Sequence, residues 1–348
     1  MVSHPVRLPS NIREITLVVC PLCKSEDVQV VYSVTNAEAA QHWKLKEHDP
    51  AGHRALSDKI EALWGQKHAE SMLCHTCDFG FSSPFVAGDE SFYMMAHGAS
   101  RYPKDKWEFT RAVELLKPRM NNDFRVLEIG SGYGFFLDKL VSVGLPPANA
   151  WSLEYNDTAR DKLEAKGYRV FLDGLPALIA LGEQFDAVCM FQVLEHSDNL
   201  DVLLPSLKSV LRPGGEIIFA VPNAKQVRFQ EEHDSLLDMP PNHISRWSET
   251  SFRQLAGNNA MVLNECSTEP FSLLMFAKQD AIYAYARKAQ KGAFLISSVF
   301  NKRSSTVGRL ANMSIAAIMA VGRIPVWIKA RGQARNLGPN LLVRLRSN

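Results

Sequence analysis

The chain has 348 residues, 46% of them apolar, and a net charge of +2. That length supports one large domain or two modest ones, and the apolar content is that of an ordinary globular protein. A membrane span is excluded by the longest apolar stretch, Leu310 to Gly322, thirteen residues between Arg309 and Arg323 and too short to cross a bilayer. The opening residues lack a basic segment followed by an apolar run, so a soluble cytoplasmic protein is expected. Charge is unevenly placed. Lys278 to Asn348 holds 13 Lys plus Arg and one acid, Asp280, which leaves −10 on the first 277 residues. The basic end is therefore the part suited to an anionic partner.

In chain order, the first pattern is a pair of knuckles, Cys20-x2-Cys23 and Cys74-x2-Cys77. Four thiolates are the tetrahedral set preferred by structural zinc, and the flanking residues resemble a zinc ribbon. The knuckles stand 50 residues apart, wider than the usual spacing, with an insertion, Asn36 to Glu70, whose stretch Arg54 to Trp64 predicts a helix. Disulfides are the main alternative, and a reducing cytoplasm disfavours them. All-Cys ligation leaves no open position, so Zn2+ here is expected to be structural. His75 is expected at the surface or behind the ligands, and Cys189 and Cys266 in the core. Residues 84–110 carry Phe85, Phe92, Tyr93, Tyr102, Trp107 and Phe109. They either pack the ribbon onto the main domain or cover a ligand.

From Arg125 the pattern alternates strand and helix. Strands are predicted at 125–129, 150–154, 168–171, 185–191, 215–221 and 261–266, and helices at 135–143, 157–166, 174–181, 200–211 and 249–257. Such alternation implies a parallel sheet with helices on both faces. The first strand runs into Gly130-Ser-Gly-Tyr-Gly134, and the second ends in a carboxylate, Glu154, 22 residues after Gly132. That is the layout of an adenosine-binding βαβ unit. Glycines let the backbone turn tightly and approach a ligand closely. Glu128, two residues before the first glycine, repels phosphate and favours a cationic amine or sulfonium.

This form, Glu-x-Gly-x-Gly-x-Gly, resembles motif I of the class I S-adenosylmethionine (SAM)-dependent methyltransferases. Phe185 to His196 resembles their fourth strand and the acidic–His segment after it, and Leu211 to Asn223 their Pro-Gly-Gly turn and fifth strand. Met239-Pro-Pro-Asn-His-Ile-Ser-Arg-Trp-Ser248 resembles a Pro-Pro-His-His segment of a bacterial subgroup, with Asn242 in place of the first His. The resemblance covers residues 105–277 best. It implies an α/β, Rossmann-like, seven-stranded sheet, mostly parallel with an antiparallel last strand. The expected organisation is a zinc-ribbon domain at 1–90, a SAM-binding core at 91–270, a basic helical insertion at 271–336 and the final strand at 337–348. That strand is expected at Leu341–Arg346, in preference to Phe271–Ala277. Helices are expected at 280–291 and 307–321.

In this reading Gly130, Ser131, Gly132 and Gly134 cradle SAM, Glu128 orders its amino end, and Glu154 holds the ribose hydroxyls. Asp173 meets the adenine amino group, unless it only caps a helix, and Gln192 borders the methionine. His243 is the first choice of general base and His196 the second, since imidazole titrates near neutrality. His233-Asp234 is a third pair within reach, though a solvated loop suits it better. Trp247 is expected to pack. The functional expectation is methylation, preferably O-methylation, of a small molecule or glycan intermediate, by analogy in envelope polysaccharide synthesis. An RNA methyltransferase is the alternative. The acidic ribbon and core disfavour nucleic acid. The basic helix 307–321 either packs on the domain or attaches the enzyme peripherally to an anionic membrane. Oligomeric state has no signature in the chain.

Overall fold

The computed structural model describes residues 18–97, 103–154, 157–232, 238–290, 314, 322–332 and 334–347. The N-terminal module begins with strand β1 (Val28–Thr35), then helices α1 (Asn36–Trp43) and α2 (Pro50–Trp64), then strands β2 (His68–Cys74) and β3 (Gly80–Ser83). Thr35 starts α1 with a capping box to Glu38. Asp49 accepts from the Gly52 N–H to start α2, and Gly65 ends it in the left-handed region at φ 66°. The insertion thus contains two helices where the sequence pattern gave one. Their buried residues Ala40, Leu56, Ile60 and Trp64 pack with Phe92, which lies on α3 (Glu90–His97).

The main domain follows with α4 (Trp107–Leu116), β4 (Val126–Ile129), α5 (Phe135–Ser142), β5 (Ala150–Leu153), α6 (Asp157–Glu164), β6 (Arg169–Phe171), α7 (Gly174–Ala180), β7 (Phe185–Phe191), α8 (Leu200–Ser209), β8 (Leu211–Pro222), α9 (Ala224–Glu231), β9 (Ser245–Arg246), α10 (Glu249–Asn258), β10 (Met261–Thr268), α11 (Leu273–Gln290), α12 (Ile324–Ala330) and β11 (Asn340–Ser347). Seven strands form one sheet in the order β10-β11-β8-β7-β4-β5-β6. The pairs within β6-β5-β4-β7-β8 are parallel, and β11 runs antiparallel to both β8 and β10. Every residue of β4 and β5 is buried, as strands covered by helices on both faces require. Alternation sends Leu127 and Ile129 to one face with Val188, Phe219 and Trp247. Val126 goes to the other, with Phe109, Phe136, Cys189 and Phe191, and Glu128 shares that face.

The last strand is the one the sequence favoured. The alternative, Phe271–Ala277, instead leads into α11, with Phe271 just before the helix and Phe276 on it both buried against Phe229. This helix therefore starts at Leu273 rather than at residue 280. The buried Asp280 accepts from Arg323 at 2.6 Å and from the Trp327 indole at 2.8 Å, which ties α12 to α11. The helix expected at 307–321 lies outside the described residues except for Ser314, as do Tyr102 and the His233–Asp234 pair. Among the described residues no helix is long and apolar enough to cross a membrane.

The N-terminal module docks on this domain through side chains. Its sheet has the order β1-β2-β3-β9, so its fourth strand comes from residues 245–246 of the main domain. Trp247 is fully buried, with ring centroids 4.6 Å from Phe79 and 4.9 Å from Phe252. It packs, as expected. Arg246 is buried against Glu231 and donates to the Tyr32 hydroxyl at 2.7 Å. Phe85 and Phe92 pack the link, and Phe109 sits on the main-domain core.

Candidate functional site

The glycine turn stands at the C-terminal edge of β4, the position where open parallel sheets bind ligands. Gly130, Gly132 and Gly134 have φ of 72°, 55° and 73°, a region costly for residues with a Cβ. Space forbids a Cβ as well: one on Gly130 would lie 2.7 Å from Val193 Cγ2, and one on Gly134 would collide with Leu163. Glu154 Oε2 accepts from the Gly132 N–H at 2.7 Å, and Ser131 Oγ lies 2.6 Å from Ser152 Oγ. Glu128 is 2% exposed, and its Oε2 has no hydrogen-bond partner among the described residues. Burial pushes its pKa well up, Lys106 opposes this and Glu154 adds to it. A buried carboxylate in that condition favours a cation that can hydrogen-bond to it.

The other sequence-chosen residues lie on neighbouring strand ends. Asp173 is exposed at the N-cap position of α7 and makes no capping bond. It borders a cavity of about 370 Å³ with Arg160, Phe171 and Leu172. Gln192 follows β7 at φ 58°, a conformation uncommon for a residue with a Cβ. Its backbone N–H donates to Ala220 O at 2.7 Å and its side chain to Asn340 Oδ1 at 3.1 Å.

Beyond Gln192, the loop touching Gly130 through Val193 reaches Glu195 and His196. These meet His243, which arrives from the segment before β9. One ligand-type atom each of Glu195, His196 and His243 lies within 4.8 Å of the others, and the two imidazoles meet edge to face with centroids 4.7 Å apart. His243 Nδ1 lies 2.6 Å from Asp238 Oδ1, and His196 Nδ1 lies 2.6 Å from Asn242 O. Acceptors at both Nδ1 atoms set the tautomer, so Nε2 is the basic nitrogen of each ring. Against the upward push of burial, the hydrogen bond from His243 holds the Asp238 carboxyl below its ordinary range. The Tyr93 hydroxyl lies 2.8 Å from His196 Nδ1.

Near the start of the described chain, Cys20, Cys23, Cys74 and Cys77 bring their sulfurs within 4.8 Å of one another. Cys20 and Cys77 are 3.7 Å apart and Cys23 and Cys74 3.5 Å, close to the edge of about 3.8 Å that a tetrahedron with Zn–S bonds near 2.3 Å would have. The knuckles are alike. Lys24 and Asp78, each just after the second Cys, have φ of 63° and 55° and donate their N–H to the first Cys carbonyl at 2.9 Å. The hydrogen bond from Cys77 draws the Cys20 thiol down to about 5 despite its burial, and the same contact pushes Cys77 up. The residues thus fit a closed tetrahedral ion. His75 is exposed and Cys189 buried, while Cys266 is half-buried.

Sequence reasoning did not single out Glu195 or Asp238, and named Tyr93 only among the aromatics of residues 84–110. Glu195 adjoins His196 and Asp238 lies five residues before His243, so proximity in sequence was a usable signal for both. Tyr93 comes from a distant segment, and its aromatic setting did not point to His196.

Residues 94–259 match a family model described as a methyltransferase domain. The chain is 25% identical over 174 residues to a ubiquinone biosynthesis O-methyltransferase of Dinoroseobacter shibae, covering 45% of this chain and 70% of that protein. It is 31% identical over 102 residues to the protein of the same name from Sinorhizobium medicae, covering 28% of this chain and 41% of the relative. Among solved structures, a SAM-dependent methyltransferase from Mesorhizobium loti aligns with 70% of this chain and 100% of its own, at 12% identity and a TM-score of 0.43.

Gly130→Ala is expected to destabilise the fold by about 1–3 kcal/mol in urea unfolding, from the positive φ and the Val193 contact. Adding Val193→Ala should recover the contact part only. Strict additivity of the two changes would show that Val193 does not press on the turn.

Proposed function

We propose that this chain, a class I SAM-dependent methyltransferase, O-methylates a hydroxyl of a small-molecule or glycan intermediate. The observation that carries this reading is the parallel pairing of β4 with β7, which sets the glycine turn beside a loop leading to the two histidines, with no room for a Cβ at Gly130. The relatives' names, O-methyltransferases, support a hydroxyl as acceptor. When bound, SAM supplies a methyl group already activated by positive sulfur. Gly130, Ser131, Gly132 and Gly134 give it a backbone floor, and Glu128 offers its buried carboxylate to the amino end. Glu154, already anchored on the Gly132 N–H, accepts from the ribose hydroxyls. Asp173 takes the adenine amino group, and Gln192 borders the methionine. His243, oriented by Asp238, accepts the acceptor's proton at Nε2, with His196 as the neighbouring second choice. The four cysteines hold a structural Zn2+, a role their sulfur–sulfur distances support.

We place the enzyme in the cytoplasm, with a peripheral visit to an anionic membrane face. Exposed apolar side chains on α11 and α12, including Leu274, Ile282 and Ile328, together with the +12 charge of residues 278–348, support that visit. Flotation with vesicles containing anionic lipid, and none with neutral vesicles, is the expected result. Equal behaviour with both would remove the membrane from this proposal.

Labelled SAM incubated with fractionated extract should mark one low-molecular-mass or glycan product, and its identification names the acceptor. Label only in RNA or protein would overturn this reading. His243→Ala should lower kcat by about 10²–10⁴ while S-adenosylhomocysteine affinity stays unchanged by calorimetry. Glu128 gives a pH signature. Burial raises its pKa, so binding a cation favours proton release there, and SAM affinity is expected to rise with pH. Calorimetry in buffers of different ionisation enthalpy should detect that proton in the wild type and not in Glu128→Gln.

A further inference from the structure

Glu195 is 1% exposed, and neither carboxylate oxygen has a hydrogen-bond partner among the described residues. A buried carboxylate left in that condition is costly. Its neighbours do not look like ordinary packing. His243 has its Nδ1 on a carboxylate, Asp238 at 2.6 Å, and His196 has its Nδ1 on a carbonyl, Asn242 at 2.6 Å. An imidazole whose outer nitrogen is held by a carboxylate or carbonyl is the arrangement found behind metal-bound histidines. The two rings and the carboxylate come from different segments, yet their ligand atoms gather within 4.8 Å.

We infer that Glu195, His196 and His243 bind a divalent transition-metal ion of the Zn2+ or Mn2+ class, next to the SAM cradle and separate from the cysteine site. Two imidazoles and one carboxylate suit that class and leave coordination positions open for an acceptor oxygen. The ion gives the lone carboxylate its missing counter-charge. The inference rests on the proposed acceptor site and changes its chemistry. His243 then holds the ion, and the acceptor hydroxyl bound to it loses its proton to solvent more readily. The oxygen forms the new bond to the methyl carbon as the carbon–sulfur bond breaks, and the electron pair stays on sulfur, which leaves as a neutral thioether.

Metal analysis of the full-length protein, followed by Mn2+ titration read by electron paramagnetic resonance, tests this. The cysteine site, filled with zinc and all-thiolate, does not compete for Mn2+. The wild type should hold two zinc ions per chain, or one zinc plus one equivalent of bound Mn2+ displaceable by Zn2+. Glu195→Gln, close in size, and His243→Gln should each retain one zinc and lose the second ion. Asp238→Asn, acting through His243, should weaken Mn2+ binding by about 10–100-fold. Circular dichroism and S-adenosylhomocysteine calorimetry on the same samples establish that each variant is folded. A wild type holding one ion and binding no Mn2+, or variants with unchanged Mn2+ affinity, would overturn the site. If that happens while His243→Ala still loses turnover, the imidazole acts alone as base. Loss of S-adenosylhomocysteine binding by the wild type would instead strike the methyltransferase reading itself.

Discussion

The site depends on how closely the β4 turn and the loop after β7 approach each other. The parallel pairing of β4 with β7 brings Ile129 level with Met190, so the two chains leave the sheet side by side. No Cβ fits between them at Gly130, because Val193 fills the space. This close approach puts the acidic floor under the turn and the loop leading to the histidines on neighbouring strand ends. Methyl transfer is an in-line displacement, and its rate depends on holding donor and acceptor in that line. A fold can therefore carry this reaction with few reactive groups, provided the backbone spacing is rigid.

The cysteine module is a second source of that rigidity. Cys74 ends β2, β3 follows, and β9 pairs with β3 immediately after His243. The backbone at Ile244 bonds on one side to Ser82 and on the other to Glu195. The residue next to His243 is thus fixed between the N-terminal module and the loop of the acidic–His segment. Arg246 adds buried links to Glu231 and Tyr32, and Asn258 donates to the Leu22 carbonyl inside the first knuckle. These links at such a distance contribute geometry: they hold the platform on which the imidazole stands.

Legibility in the sequence followed the range of the interactions. The buried strands of the parallel sheet were readable because each is a short apolar run next to a turn, and the glycine turn because its residues are contiguous. Leu341–Arg346 was readable as a strand by composition and by the Gly-Pro-Asn before it. The insertion Asn36 to Glu70 hid a second helix, since α1 is only eight residues long and half polar. Phe271–Ala277 looked strand-like because its apolar residues adjoin, and tertiary packing against Phe229 turned it helical. Tyr93 gains its place beside His196 only from where the chain returns, 103 residues on, which no local pattern encodes. The same holds for β9, two residues long, which exists because an edge of the other sheet is there to receive it.

The excursion between β10 and β11 is closed at its base. Glu269 N–H donates to the Asn340 carbonyl, the Asn340 side chain donates back to Glu269, and Gly338 packs against the Glu269 backbone. Further out, Asp280 clasps Arg323 and Trp327. Such a collar isolates the ladder from whatever lies beyond it, and lengthening a tethered loop costs little entropy. The excursion can consequently be shortened, lengthened or exchanged among descendants while the strands keep their register. Diversification of what the enzyme recognises would then require no renegotiation of the machinery that holds its methyl donor.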